Sequence, residues 1–472
     1  MKKQADIQGN VGQNAIEYLQ RFEGIDFGHK TRGERFIRML RQLAGDPQGS
    51  INKACGTPSQ SKAAYRMVAN EKLTDEAIIS AHRDVTLEHI RSSGEPVVLV
   101  PQDTTEFNYT HLEHTSGLGC IGSNENLRGI LMHSALAVTP QGQVLGLLHQ
   151  ALWVRPEEER GKKRTRKQRS IEDKESYRWL EAMEQAESGD HGQARLIHVC
   201  DHEGDIYELF DKATREGHLF LVRRTHNRST DEGDRIQKYL DNQRSAGTYE
   251  VEIPRDSHTA RERRTATIEV RFGQVCILRP QNLSSLDSLS VSLAITVISA
   301  REVNAPEGVE AVNWQLITNL AAEDFETARQ YITWYSRRWL IEMFHYTLKS
   351  GCAVEKLQSD TAERLRKLIE IYSIIALRIM TITYLARTQP DTSCETFLSP
   401  IEWKVLYCAA KRSRNPPPKP PTTYEACIMI AQLGGFAGWR SSGFPGVKVM
   451  WWGLTKLMNI LDALPFVENF VG

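Results

Sequence analysis

Long uninterrupted apolar runs are missing from this sequence. None approaches the roughly 20 residues that cross a bilayer, and Met1-Lys2-Lys3-Gln4-Ala5-Asp6 leads into polar residues rather than a signal core. The expected setting is cytoplasmic, with no membrane partner. An excess of either charge is missing too, since Lys plus Arg and Asp plus Glu both total 59. Net charge thus gives no case for a polyanionic partner, and any charge aimed at one must be local. Paired cysteines are also absent. Cys55, Cys120, Cys200, Cys276, Cys352, Cys394, Cys408 and Cys427 show no Cys-x-x-Cys and no paired histidine spacing, which argues against structural zinc and against a disulfide framework. No internal repeat is visible. What remains is ordinary globular composition, 40% hydrophobic and 25% charged, over 472 residues. At roughly 100 to 200 residues per domain this length predicts two to four domains.

Helical apolar spacing opens the chain, with Ile16, Leu19 and Phe22 over 13–23 and Phe36, Ile37, Leu40 and Leu43 over 32–44. The same period continues over 63–68 and 76–90, so the first 90 residues read as all helical. Their polar faces carry Lys30, Arg32, Arg35, Arg38, Arg41, Lys53, Lys62, Arg66 and Lys72. Charge alone leaves these divided between a solvated face and a binding face.

At Pro96 the pattern changes. Val97-Val98-Leu99-Val100-Pro101-Gln102-Asp103 has the look of a strand buried on both faces of a helix-covered sheet. Segments 130–138 and 143–154 predict two more strands, joined by a hairpin-type turn at Thr139-Pro140-Gln141-Gly142. A charged helix over 171–187 precedes Arg195-Leu196-Ile197-His198-Val199-Cys200-Asp201, a second buried run ending in a carboxylate. A helix over 205–216 then leads to a strand at 219–223. Strand, strand, strand, helix, strand, helix, strand is the element order of a ribonuclease-H-like core. That order predicts an α/β fold with a mixed five-stranded sheet, its first and fourth strands parallel neighbours, so that acids at their carboxyl ends meet at one edge.

Between 226 and 312, the runs 248–253, 265–270, 275–278 and 289–298 predict a β-rich insertion. Segment 314–320 resumes the core, and 324–350 is expected as one long helix. A linker at 390–400 and a stiff proline-rich stretch at 415–421 follow. The remaining 422–470 is apolar helix bearing Trp439, Trp451 and Trp452, suited to packing against another surface. The expected domains are 1–90, 91–385 with its insertion at 226–312, and 386–472.

Asp103 stands where a buried strand meets the polar turn Asp103-Thr104-Thr105-Glu106, and an Asp there also serves to bond the turn backbone. The residue alone does not separate the two roles. Asp201, opening Asp201-His202-Glu203-Gly204-Asp205, is equally divided. Asp205 is expected as a helix N-cap, and Glu203 is a weaker competitor for the acid role. The helix around Glu342 is more informative. Tyr335, Arg338, Glu342 and Lys349 fall within an arc of roughly 60° on one face. Such a stripe is poor core material, and an i, i+4 ion pair explains only Arg338 with Glu342. Three carboxylates converging on one point repel, and a hard divalent cation held by oxygens compensates, which fits magnesium or manganese rather than zinc. A pair of such ions suits phosphodiester displacement.

Three segments resemble a known family: Gln102-Asp103-Thr104-Thr105, Val199-Cys200-Asp201-His202-Glu203-Gly204-Asp205-Ile206, and Trp334-Tyr335-Ser336-Arg337-Arg338-Trp339-Leu340-Ile341-Glu342-Met343-Phe344-His345. They are similar to the bacterial cut-and-paste transposases of the insertion-sequence-four family. The spacing of Tyr335, Arg338, Glu342 and Lys349 matches that family's signature, and similarity extends to Phe27-Gly28-His29-Lys30-Thr31-Arg32 and Leu433-Gly434-Gly435-Phe436. The resemblance implies a ribonuclease-H-like catalytic domain with a β-rich insertion, an N-terminal domain that reads the inverted ends, and a C-terminal helical dimerisation region. It implies catalytic and metal-holding roles for Asp103, Asp201 and Glu342, with two magnesium ions per site and manganese able to substitute. It places Tyr335, Arg338 and Lys349 on the DNA end.

Family members cut through a hairpin and flip a base onto a tryptophan that corresponds best to Trp314, with Trp339 nearby. Such stacking is worth roughly 1 to 3 kcal/mol. Val312-Asn313-Trp314-Gln315-Leu316-Ile317 would equally bury that tryptophan as strand core. Tyr346 departs from a family lysine; it can still hydrogen-bond a phosphate but brings no charge. Lys30, Arg32, Arg35 and Arg66 are the expected DNA contacts of the first domain. The implied partners are double-stranded DNA, both inverted ends and target, and a second copy of the chain in a homodimer, with DNA holding the protein at the bacterial nucleoid.

The densest basic run, Arg160-Gly161-Lys162-Lys163-Arg164-Thr165-Arg166-Lys167-Gln168-Arg169, predicts a DNA clamp through Lys163 and Arg164, against the alternative of a solvated loop. Other classes remain to be separated: a nuclease or resolvase that cuts without joining, and a catalytically silent DNA-binding regulator, against which the intact acid triad argues. A two-carboxylate glycosidase leaves the basic stripe around Glu342 unexplained.

Overall fold

The computed structural model describes residues 22, 25, 27–122, 124, 126–156, 169–253, 263–281, 288–438 and 443–467. Helices α1 (Lys30–Gly45), α2 (Ile51–Cys55), α3 (Pro58–Val68) and α4 (Asp75–Ser93) come first. Each begins at a side chain that accepts a backbone N–H, from His29, Ser50, Thr57 and Thr74 respectively. Phe36, Ile37, Leu40 and Leu43 are buried, as their spacing predicts. The expected helix over 13–23 lies outside the described residues, Phe22 excepted.

The sheet is built from β1 (Val97–Asn108), β2 (Gly119–Cys120), β3 (Arg128–Val138), β4 (Val144–Trp153), β5 (Arg195–Cys200), β6 (Leu219–Arg223), β7 (Gly247–Ile253), β8 (Arg264–Leu278), β9 (Ser292–Val303) and β10 (Asn313–Thr318). Helices α5 (Tyr177–Glu187), α6 (Tyr207–Glu216) and α7 (Ile236–Asn242) connect them. Strand order is β2-β3-β1-β5-β6-β10-β9-β8-β7, with β4 on β3. β1 is antiparallel to β3 and parallel to β5, and β5 is parallel to β6. The two carboxylate-ending runs are therefore parallel neighbours, as the element order predicts. The β3–β4 turn closes with Gly142 N–H on Thr139 O at 2.9 Å. The fold is a mixed α/β one, with a large mixed sheet and many helices.

Three expectations change. Among the described residues the sheet has ten strands, five more than the core strands β4, β3, β1, β5 and β6. The β-rich insertion does not stand apart, because β10 pairs antiparallel with both β6 and β9 and so carries β9, β8 and β7 onto the core sheet. The runs 265–270 and 275–278 are one strand, since the residues between them stay in register with β9, Arg271 opposite Ser299 and Gln274 opposite Thr296. The long helix expected over 324–350 is divided into α8 (Phe325–Ser336) and α9 (Trp339–Tyr346), followed by a π-helical turn, Thr347–Gly351. At the break, Arg337 and Arg338 N–H bond Trp334 O and Tyr335 O at 3.0 Å, a tightened three-residue turn.

Helices α10 (Ala362–Thr388), α11 (Pro400–Lys411), α12 (Thr423–Leu433) and α13 (Val447–Val467) complete the fold. By length and composition α10 could cross a membrane, but 94% of its most apolar window is buried inside the protein. Uninterrupted runs did not reveal it because Glu370 and Arg378 punctuate it; Arg378 is matched by Glu402 of α11 at 3.3 Å. One core cluster joins α1, α3, β3, β4, α9, α10, α12 and α13, which ties the helices before and after the sheet to it.

Candidate active site

Pro101 of β1 stands opposite Val199 of β5, so two residues further along each parallel strand Asp103 and Asp201 stand side by side. Asp103 accepts the Thr104 N–H at 2.9 Å, and Asp201 accepts the Glu203 N–H at 2.8 Å, capping the short turn His202–Gly204. The turn-bonding role weighed for each aspartate is thus present, but it uses one oxygen of each. Asp201's other oxygen lies 3.2 Å from His202 Nδ1. The Asp103 carboxyl is pushed up to about 7, by burial first and then by the negative charge of Asp201 and, more weakly, Glu342, against Arg338 and the Thr104 N–H. Converging carboxylates do this to one another.

Arg338 links the third acid to this pair. Its guanidinium bonds Glu342 and lies 4.0 Å from Asp103. Burial at the end of α8 raises the Tyr335 hydroxyl, and the positive charge of Arg338 opposes that larger effect. Tyr335, Arg338, Glu342, Asp103 and Asp201 are therefore together. Lys349 sits in the π-helical turn, its Nζ 5.7 Å over Phe107 at the far end of β1. The sequence reading missed His345: it is buried, with Nδ1 3.8 Å from Asp103 and Nε2 unpartnered. Burial, then Lys349, lower it to about 3, so it faces Asp103 uncharged. Its place three residues after Glu342 on α9, one helical turn on, was the available signal.

Trp314, half-buried on β10, meets the Tyr335 ring edge-on at 5.6 Å, beside the site. Trp339 is 39% exposed with its ring 5.7 Å from Tyr384, and Tyr346 is 42% exposed and 6.1 Å from Trp451. Asp205 is not the N-cap; Ile206 holds that position. Asp205 instead is buried on Arg228 and accepts the Thr225 and His226 N–H groups, each at 2.7 Å. Burial alone would raise its carboxyl, but His226, Arg228 and these N–H groups hold it below the ordinary range. Glu203, the weaker competitor, pairs with Arg178 at 2.5 Å.

Lys30, Arg35 and Arg66 are exposed. Arg32 is turned to a local task, donating to Phe27 O at 2.6 Å. Arg66, with Lys62 and Tyr65, lines an open cleft of about 710 Å³ whose other wall includes Arg364 of α10. Lys163 and Arg164 lie outside the described residues. Among the described residues no three His, Cys, Asp or Glu side chains stand close enough together to hold a metal ion. Asp103 and Asp201 form an all-oxygen pair suited to a hard divalent cation, while Glu342 is held by Arg338.

Two family models match the chain. One, transposase DNA-binding, covers residues 18–73, and the other, the transposase Tn5 dimerisation domain, covers residues 374–470. Among solved structures, the cryo-EM piggyBac transposase synaptic complex with hairpin DNA aligns over 99% of this chain and 83% of that one, at 9% identity and a TM-score of 0.37. That likeness is too slight to carry any argument. The two matched segments flank the region that bears Asp103 and Asp201, and a DNA-binding segment before it with a dimerisation segment after it supports a Tn5-like DNA transposase.

Proposed function

We propose that this transposase cleaves both strands at each inverted end by divalent-ion-dependent phosphodiester hydrolysis and hairpin formation, and then joins the 3' ends to target DNA. The observation that carries the proposal is Asp103 set beside Asp201 on parallel strands, with Arg338 tying Glu342 to them. The order β4-β3-β1-β5-β6 supports a ribonuclease-H-like core within 91–385, with an end-binding domain over 1–90 and a dimerisation domain over 386–472. Cutting two ends needs two such sites, hence a homodimer on paired ends.

The oxygen-only donor set and the raised Asp103 carboxyl fit magnesium, with manganese as a substitute. Two ions held by Asp103, Asp201 and Glu342 would lower the pKa of an attacking water and stabilise the leaving oxygen. As a ligand beside the aspartates Glu342 would exchange its bond to Arg338, and the freed guanidinium would be available to hold the phosphate. In the first cut a water oxygen bonds to phosphorus while the bond to the 3' oxygen breaks, and that oxygen leaves as a hydroxyl. The freed hydroxyl then attacks the phosphorus on the opposite strand, closing the hairpin while the bond from that phosphorus to the flanking strand's 3' oxygen breaks and that oxygen leaves as a hydroxyl. A second water bonds to the hairpin phosphorus and releases the 3' hydroxyl again. Lys349 adds charge and Tyr335 a hydroxyl on the phosphates, Tyr346 a further hydroxyl, and Trp314, with Trp339 nearby, a face for an unpaired base.

Glu342→Gln is expected to lower magnesium-dependent nicking of an inverted-end duplex by at least about 10³-fold, while end binding by gel shift stays near wild type. Given pre-cleaved ends, the wild-type protein is expected to yield joined product. Cutting without any joining would make it a nuclease or resolvase instead, and undiminished nicking by Glu342→Gln would remove that residue from the site.

A further inference from the structure

A chain of hydrogen bonds that the proposed chemistry does not use brackets both aspartates. Arg178 on α5 donates from Nε to Thr104 Oγ1 at 2.8 Å and from Nη2 to Glu203 at 2.5 Å. Thr104 follows Asp103, and Glu203 lies two residues beyond Asp201. Beneath them, Thr104 Oγ1 is 2.9 Å from His133 Nδ1, and His133 Nε2 is 3.3 Å from Gln102 Oε1. Gln102 Nε2 is 3.1 Å from His198 Nδ1, and His198 Nε2 is 3.1 Å from Glu187. Gln102 precedes Asp103, and His198 is three residues before Asp201. Members of one chain thus stand on both sides of each aspartate.

Donor chemistry gives the chain a single direction. A guanidinium only donates, so Thr104 accepts from Arg178 and sends its own proton to His133 Nδ1. His133 then carries its proton on Nε2 and donates to Gln102, whose amide donates to His198 Nδ1. His198 donates in turn from Nε2 to the Glu187 carboxylate, which only accepts. Gln102, His133 and His198 are each 0% exposed. An apolar set of the same shape is close to neutral for stability, whereas one missing bond in such a place costs about 1 to 3 kcal/mol. Stability alone therefore does not account for the chain.

We propose that Arg178 is a positioning residue that sets the spacing of Asp103 and Asp201 by clamping β1 to the turn that follows β5, one arm on Thr104 and the other on Glu203. The buried run from Thr104 through His133, Gln102 and His198 to Glu187 holds the same two strands from beneath. The inference rests on the reading of Asp103 and Asp201 as divalent-ion ligands. A lysine at 178 keeps the charge but loses the planar fork that reaches both partners.

The test is Mn²⁺ binding by the full-length protein without DNA, read by electron paramagnetic resonance, with melting temperature alongside. Asp201→Asn is expected to abolish the site. Arg178→Lys is expected to weaken it roughly 10- to 100-fold, the range for groups that orient metal ligands. Glu203→Ala, at a side chain 51% exposed, is expected to weaken it at least several-fold with the melting temperature unchanged. Glu203→Ala binding Mn²⁺ within twofold of wild type overturns the clamp, whether or not Arg178→Lys folds or shows a loss, because the clamp needs both arms. Binding that survives Asp201→Asn overturns the reading of the aspartates themselves.

Discussion

Asp103→Asn is expected to abolish cleavage and, at the same time, to stabilise the metal-free protein at pH 8. Asp103 titrates near 7 instead of 3.8, with burial the largest cause and Asp201 the next. A raised carboxyl binds its proton more tightly in the folded protein than in the unfolded chain. The folded state therefore carries no penalty below about pH 3.8; the penalty grows as pH rises and is complete above about 7. The gap corresponds to at most about 4 kcal/mol. Asparagine removes the charge yet keeps an oxygen for the Thr104 N–H. Calorimetry in a chelator should show the variant melting several degrees above wild type at pH 8 and close to it at pH 4. A variant less stable than wild type at pH 8 would mean that no carboxylates crowd there.

Gly453→Val is expected to cost more than about 3 kcal/mol, beyond ordinary overpacking, and to disrupt dimerisation with it. A Cβ on Gly453 would lie 1.8 Å from Ile430 O, and one on Gly434 would lie 1.9 Å from Val449 O. Helices α12 and α13 thus cross with their backbones touching, which only glycine allows. Both obstacles are main-chain carbonyls, so no side chain can swing aside. Both glycines fall inside the matched dimerisation segment, residues 374–470. Gly446→Ala is the control, since nothing lies within 4 Å of its Cβ; it should be neutral or slightly stabilising. Urea midpoints and sedimentation of the three proteins decide it, and a fully stable, dimerising Gly453→Val would exclude the close crossing.

Strands β1 and β5 were legible because each is a short apolar run ending in Asp, and runs of that kind belong to parallel strands covered on both faces. The pairing of α9's Glu342 with Arg338 was legible from helical spacing. What failed depends on long-range pairing. That β7, β8 and β9 extend the core sheet is decided by β10 meeting β6 edge to edge, which local sequence does not encode. Asp205 reads as a cap until Arg228, 23 residues later, is seen against it. The break at Arg337 and Arg338 was hidden because both residues keep right-handed helical angles, so the apolar period runs through it undisturbed. His345 was hidden for a related reason, since a buried histidine on an apolar helix face reads as core until Asp103 is found opposite. Arg178 was invisible as a clamp because its partners lie far off in sequence, Thr104 on β1 and Glu203 in the turn after β5.

The most direct measurement is iron-directed cleavage of the protein itself. Fe²⁺ with ascorbate generates radicals that cut the backbone next to the bound ion. The expected fragments end near Asp103, Asp201 and Glu342, fade as Mg²⁺ is added, and vanish in Asp201→Asn. Cleavage elsewhere, or the same fragments from Asp201→Asn, would contradict the placement of phosphodiester chemistry at these three carboxylates.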